Sequence, residues 1–133
     1  MKIIVSLILI LGSLILKAQT REANASSPII TFIEKAHDFG DITEGEKVSY
    51  IFKFKNTGTA PLLISDVVSK CGCTSPQYSK VPVMPGGCGE ITIIFNSAGK
   101  QGIYNKTVGI QSNAVPVNLF IRVNVLRRAK FKL

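Results

Sequence analysis

Apolar and polar residues alternate along most of this chain, in short runs broken by turn residues at intervals of about 8–12 residues. The clearest run is KVSYIFKFKN. Val48, Tyr50, Phe52 and Phe54 fall on one side; Lys47, Ser49, Lys53 and Lys55 fall on the other. A period of two with one apolar side predicts a strand with a dry face and a wet face. EITIIFN turns Ile91, Ile93 and Phe95 inward by the same rule, and VNLFIRVNVL does so with Val117, Leu119, Ile121, Val123 and Val125. IYNKTVGIQS is a further strand. IITFIEKAHDFGDI predicts one strand over 29–35, a bend, and a short second piece over 39–42. LLISDVVSKCGC reads as a strand with an irregularity near Asp66, where the apolar parity shifts from Leu62 and Ile64 to Val67. EGE, NTGTAP, PVMPGG, SAGKQG and NAVP are turns by their Gly, Pro and Asn content.

These elements predict an all-β fold, an immunoglobulin-like antiparallel β-sandwich of about seven strands. There is no Trp, so the cysteine–tryptophan–cysteine pin of antibody domains is missing and the aliphatic and aromatic faces must carry the core.

The first residues do not share this pattern. Met1 and Lys2 precede a run that is apolar from Ile3 to Leu16 apart from Ser6, Gly12 and Ser13, and Ala18 follows. A positive start, a short apolar run and a small residue at the cut read as a secretory signal. The run is shorter than the ~20 residues of a spanning helix. The expected organisation is a signal peptide over 1–18, a polar linker over 19–28, the sandwich domain over 29–127 and a basic tail over 128–133. Leu16 is large for a cleavage site, and the alternative is a leader kept as an anchor. After cleavage no stable membrane insertion is expected. Export places the protein in the periplasm, at the cell surface or outside the cell.

Sixteen Lys and Arg stand against eight Asp and Glu. Removing Lys2 and Lys17 lowers the formal charge from +8 to about +6. Export argues against nucleic acid as the partner. Lys47, Lys53 and Lys55 are what a protected wet sheet face carries, and Arg127, Arg128, Lys130 and Lys132 read as a solvated tail. His37 is the sole histidine and has no Ser, Cys or carboxylate in a catalytic spacing around it. With no helix there is no phosphate loop. An enzyme of the hydrolase or transferase kind has no support.

The chemistry-bearing feature is SKCGCTSP, with Cys71 and Cys73 flanking Gly72, and one further cysteine, Cys88. On an extended strand, i and i+2 face the same way about 6.6 Å apart, near the ~6.8 Å limit for a disulfide. A Cys71–Cys73 bridge needs a buckled backbone, which Gly72 eases. A bond from Cys88 to Cys71 or Cys73 closes a loop of about 16–18 residues and is worth ~3 kcal/mol in the chain-entropy model. An oxidising compartment therefore favours Cys88 pairing with one of the two, leaving one thiol free. The rival reading gathers Cys71, Cys73 and Cys88 around a soft metal, above all Cu(I), or uses Cys-Gly-Cys for thiol redox chemistry. Structural zinc wants four ligands and does not fit. No cofactor is expected on the leading reading; copper is the alternative.

The stretch HDFGDITEGEKVSYIFKFKNTGTAPLLISDVVSKCGCTSP resembles a bacterial family known as domain of unknown function 1573. The shared marks are Phe39-Gly40, the alternating strand running into Asn56, Gly58, Leu62 and Ile64, Cys71 to Thr74 with Gly72 at its centre, and Pro85-Gly86. The resemblance covers about Phe39 to Val125. It implies an immunoglobulin-like fold, akin to sperm-protein and pilus-chaperone sandwiches, and an exported or envelope-associated protein without established enzymatic activity. Cys88 lies outside the family pattern. The function expected is a non-catalytic binding or structural module in the bacterial envelope with a protein partner, a class that often binds through an edge strand.

Overall fold

A computed structural model of the protein describes residues 25–130. The leader and the last residues of the tail, including Lys132, lie outside the described residues. Eight strands run in chain order: β1 (Ile30–Phe32), β2 (Ala36–Thr43), β3 (Lys47–Asn56), β4 (Ile64–Ser69), β5 (Thr74–Tyr78), β6 (Cys88–Asn96), β7 (Gly102–Ser112) and β8 (Val117–Leu126). They form two four-stranded sheets, ordered β1-β3-β6-β5 and β2-β8-β7-β4.

The alternation read from the sequence is what lets these sheets face each other. Phe52, Phe54, Ile91, Ile93 and Phe95 from one sheet meet Val108, Ile110, Leu119, Ile121, Val123 and Val125 from the other, all buried. The lysines of β3 point to water. At ~25 cal/mol per Å² of apolar surface, a buried Phe or Ile of this kind contributes roughly 1.5–3 kcal/mol.

Two features differ from the sequence-based expectation. β5 is an additional strand, concealed in the sequence by Pro76, which has no N–H for a ladder; β5 is an edge, where that donor is not required. The sandwich is also not wholly antiparallel. β1 pairs antiparallel with β3, and the chain then crosses at Ile33–Lys35 to the other sheet without reversing, so β2 lies parallel to β8. The irregularity expected near Asp66 is present as a register shift between Ile64 and Asp66.

Candidate functional site

The Phe-Gly, Asn-x-Gly and Pro-Gly marks are architectural. Gly40 takes φ 70° at the register shift of β2 between Asp38 and Asp41, and its N–H donates to Asp38 Oδ1 at 2.8 Å. That bond, followed by the Arg122 guanidinium 2.8 Å away, holds the exposed Asp38 carboxyl below its ordinary range. Phe39 meets the His37 ring edge-on, and His37 stacks on Tyr50 at 3.6 Å between centroids. His37 is therefore engaged in an aromatic cluster, which its place in the sequence did not reveal. Tyr50 donates to Glu34 at 2.7 Å, which raises the Tyr50 pKa.

Asn56 is a fully buried hub. Its Nδ2 donates to the Ala60 and Val83 carbonyls at 2.8 and 2.9 Å. Its Oδ1 accepts from the N–H groups of Gly58 and Ile29 at 3.0 and 3.3 Å. Its backbone bonds to Gly86 and Gly87. Gly58 must lack a side chain because a Cβ there would overlap the Ser27–Ile29 backbone. Gly86 completes the Pro85-Gly86 turn at φ 79°. These residues tie the chain entering β1, the β3–β4 loop and the β5–β6 loop together at one end of the sandwich.

The cysteine segment lies at the other end. Thr74 N–H donates to the Cys71 carbonyl at 3.2 Å, so Cys71–Thr74 is a tight turn and not the continuation of β4. It carries the chain from one sheet to the other. The turn brings the Cα atoms of Cys71 and Cys73 to 5.2 Å, and the two are joined by a disulfide. Gly72 does this without a positive φ and with open space where a Cβ would stand.

The expected pairing of Cys88 with Cys71 or Cys73 is thus corrected. Asn96 N–H donates to the Cys73 carbonyl at 2.8 Å, which fixes Cys73 at the last residue of β6. Cys88 is the first residue of that strand, eight positions or about 27 Å away at ~3.4 Å per residue. Loop entropy favoured the longer ring, but rigid pairing of β6 with β3 and β5 keeps its ends apart. Cys88 is free and exposed, opposite Lys55. The same distance prevents Cys71, Cys73 and Cys88 from forming one ligand set. Among the described residues no group of three or more His, Cys, Asp or Glu is placed to hold a metal.

The Cys71–Cys73 ring holds three residues, so the chain-entropy model gives it only about 1.6 kcal/mol, roughly half the value of a 15-residue loop. Its two sulfurs differ in surroundings. Cys73 is 8% exposed, and its Sγ lies 3.9 Å from Thr74 Oγ1. Cys71 is half-buried, and its Sγ accepts from the Cys73 N–H at 3.3 Å. Cys71 lines an open hollow of about 520 Å³ together with Lys70, Asn105, Lys106 and Thr107.

The hollow exists because β4 is shorter than β7. β4 covers β7 from Val108 to Ser112 only, then leaves for the other sheet through the cysteine turn. Gly102–Thr107 keeps β8 on one side and, among the described residues, has no strand on the other. The Phe120 N–H goes to Lys35, away from β7. Its partner Thr107 therefore turns its own backbone groups away from β8, and Asn105 and Ile103 follow by alternation. All three are exposed. Periodicity marked β7 as a strand but carried no sign that half of one side is open.

Several solved structures share the fold. A protein of unknown function from Porphyromonas gingivalis W83 is 18% identical with a TM-score of 0.65; the match covers 75% of this chain and 48% of that one. The ASH/PapD-like domain 7 of human CEP192 is 11% identical with a TM-score of 0.66, covering 86% and 95%. The Vibrio cholerae VesB protease is 14% identical with a TM-score of 0.60, covering 71% and 31%. This chain spans about half of the Porphyromonas protein and less of the protease. At these identities the likeness is one of fold, a two-sheet immunoglobulin-like β-sandwich. No curated protein matches the chain. Residues 30–125 match the family model described as "Protein of unknown function (DUF1573)", and with the motif residues placed as above, the protein belongs to that family.

Proposed function

We propose that this domain is an exported binding module of the bacterial envelope, without acid–base catalysis, which holds an extended segment of a protein partner along the open stretch of β7. The observation that carries the reading is the uncovered backbone of Ile103, Asn105 and Thr107. Unpaired N–H and C=O groups on an exposed strand are a template for an added strand. The four terminal strands are poorer templates. β1 has three residues, β2 and β4 carry register shifts, and β5 contains Pro76. The basic leader with its short apolar run supports export.

The test is selection of displayed peptides of random sequence against the domain, followed by amide hydrogen exchange on the complex. Bound peptides are expected to protect Ile103, Asn105 and Thr107. Asn105→Pro, which removes an outward N–H without taking a β8 bond, should abolish binding. Failure to select a binder, or protection confined to other strands, would overturn the reading.

A further inference from the structure

We propose that the Cys71–Cys73 disulfide is a thiol–disulfide exchange site, and that its substrate is a dithiol segment of the partner lying along the open stretch of β7. The substrate half of this proposal rests on the binding reading above; the exchange chemistry stands on the turn itself.

Four observations converge there. A three-residue ring adds little to fold stability compared with a long loop, so stapling is a weak account of the bond. The sulfurs are unequal: Cys71 faces the hollow, whereas Cys73 is buried behind it. Each also has a donor suited to a thiolate, the Cys73 N–H for Cys71 and the Thr74 hydroxyl for Cys73. Lys70 and Lys106 line the same hollow and add positive charge beside Cys71.

The step follows from access. A substrate thiolate attacks Cys71 Sγ. The Cys71–Cys73 bond breaks, and Cys73 Sγ leaves with the electron pair, accepting a hydrogen bond from Thr74. A mixed disulfide now joins substrate and Cys71. The second substrate thiolate attacks the substrate sulfur of that bond and expels Cys71 as a thiolate, held by the Cys73 N–H. Two electrons pass from the substrate dithiol to the protein disulfide. The two protons given up by the substrate thiols balance the two taken by Cys71 and Cys73. Run in reverse, the reduced turn opens a substrate disulfide with Cys71 as nucleophile. Asn105 and Thr107 border both the hollow and the open strand, so a segment added to β7 passes beside Cys71.

The full exported chain carrying Cys88→Ser, to remove the third thiol, serves as the background. Oxidised protein is incubated either with dithiothreitol or, in a separate sample, with a reduced synthetic peptide of alternating Val and Thr that carries two cysteines, and thiols are trapped for mass spectrometry. Exchange with both reagents is expected. In the single variants, Cys73→Ser should form a mixed disulfide with the oxidised peptide at least about tenfold faster than Cys71→Ser, because attack needs a reachable sulfur. Equal rates, a faster Cys71→Ser variant, or a wild-type disulfide that resists dithiothreitol would overturn the exchange site. Asn105→Pro should slow exchange with the peptide about tenfold more than exchange with dithiothreitol, since only the peptide uses the strand. If both reagents exchange normally in Asn105→Pro, the β7 binding reading fails and the exchange site stands.

Discussion

Replacing Asn56 by Ala is the sharpest test of how this fold is held. Asn56 is fully buried and its side chain makes four hydrogen bonds, to Ile29, Gly58, Ala60 and Val83. Ala removes all four and leaves two donors and two acceptors without that partner. A net hydrogen bond contributes about 1 kcal/mol, and an orphaned buried group costs about 1–3 kcal/mol. Solvent reaches part of this cluster, so we expect a loss of roughly 3–4 kcal/mol, against a typical domain stability of ~5–15 kcal/mol. With a urea m-value of about 1.5 kcal/mol/M, the midpoint should fall by roughly 2–2.7 M. Circular dichroism or tyrosine fluorescence serves as the readout, the chain having no Trp. Asn113→Ala is the control, because its two bonds, to Pro61 and Leu63, are exposed; its shift should stay below about 0.7 M. Asn56→Asp adds a second constraint. It keeps the acceptor but turns a carboxylate oxygen towards the Ala60 and Val83 carbonyls. That raises its folded pKa, so it should be no more stable than Asn56→Ala at pH 7 and should recover as pH falls. A midpoint shift for Asn56→Ala below about 0.5 M would refute the reasoning.

Three further outcomes follow from the same structure. Gly89→Ala should destabilise by about 2 kcal/mol or more in chemical denaturation, because its Cβ would overlap the Phe54 ring, whereas Gly72→Ala should stay within about 0.5 kcal/mol, its Cβ meeting nothing within 4 Å. The Asp38 carboxyl, titrated by NMR, should ionise below the ordinary range; Arg122→Gln should raise its pKa only part of the way, since the Gly40 N–H is the larger cause. Asp38 therefore supports the fold above the unfolded carboxylate range, and this support fades as pH falls through its folded pKa. Maleimide should label native protein once, at Cys88, and three times after reduction and unfolding; protection of Cys88 in the native state would contradict its placement.

Much of the sandwich was legible because burial imposes parity. The strand faces at Phe52, Ile93 and Leu119 follow from alternation, and the bulge at Asp66 follows from its break. β5 was not legible, because Pro76 reads as a breaker unless the strand is known to be an edge. The family motif was visible as residues but not as a mechanism, since the Asn56 hub joins groups from three separate loops.

The sequence by itself determined the all-β class and which residues face the core. It also located the Gly-, Pro- and Asn-marked turns, because these depend on neighbours along the chain, but it read the Cys71–Thr74 turn as strand. Only the tertiary structure decided which cysteines meet, that β2 runs parallel to β8, and that half of β7 lies open beside Cys71. Each depends on where distant segments are held. Chain entropy favours a longer ring through Cys88, but the pairing of β6 on both sides sets its ends about 27 Å apart, and a disulfide cannot span that.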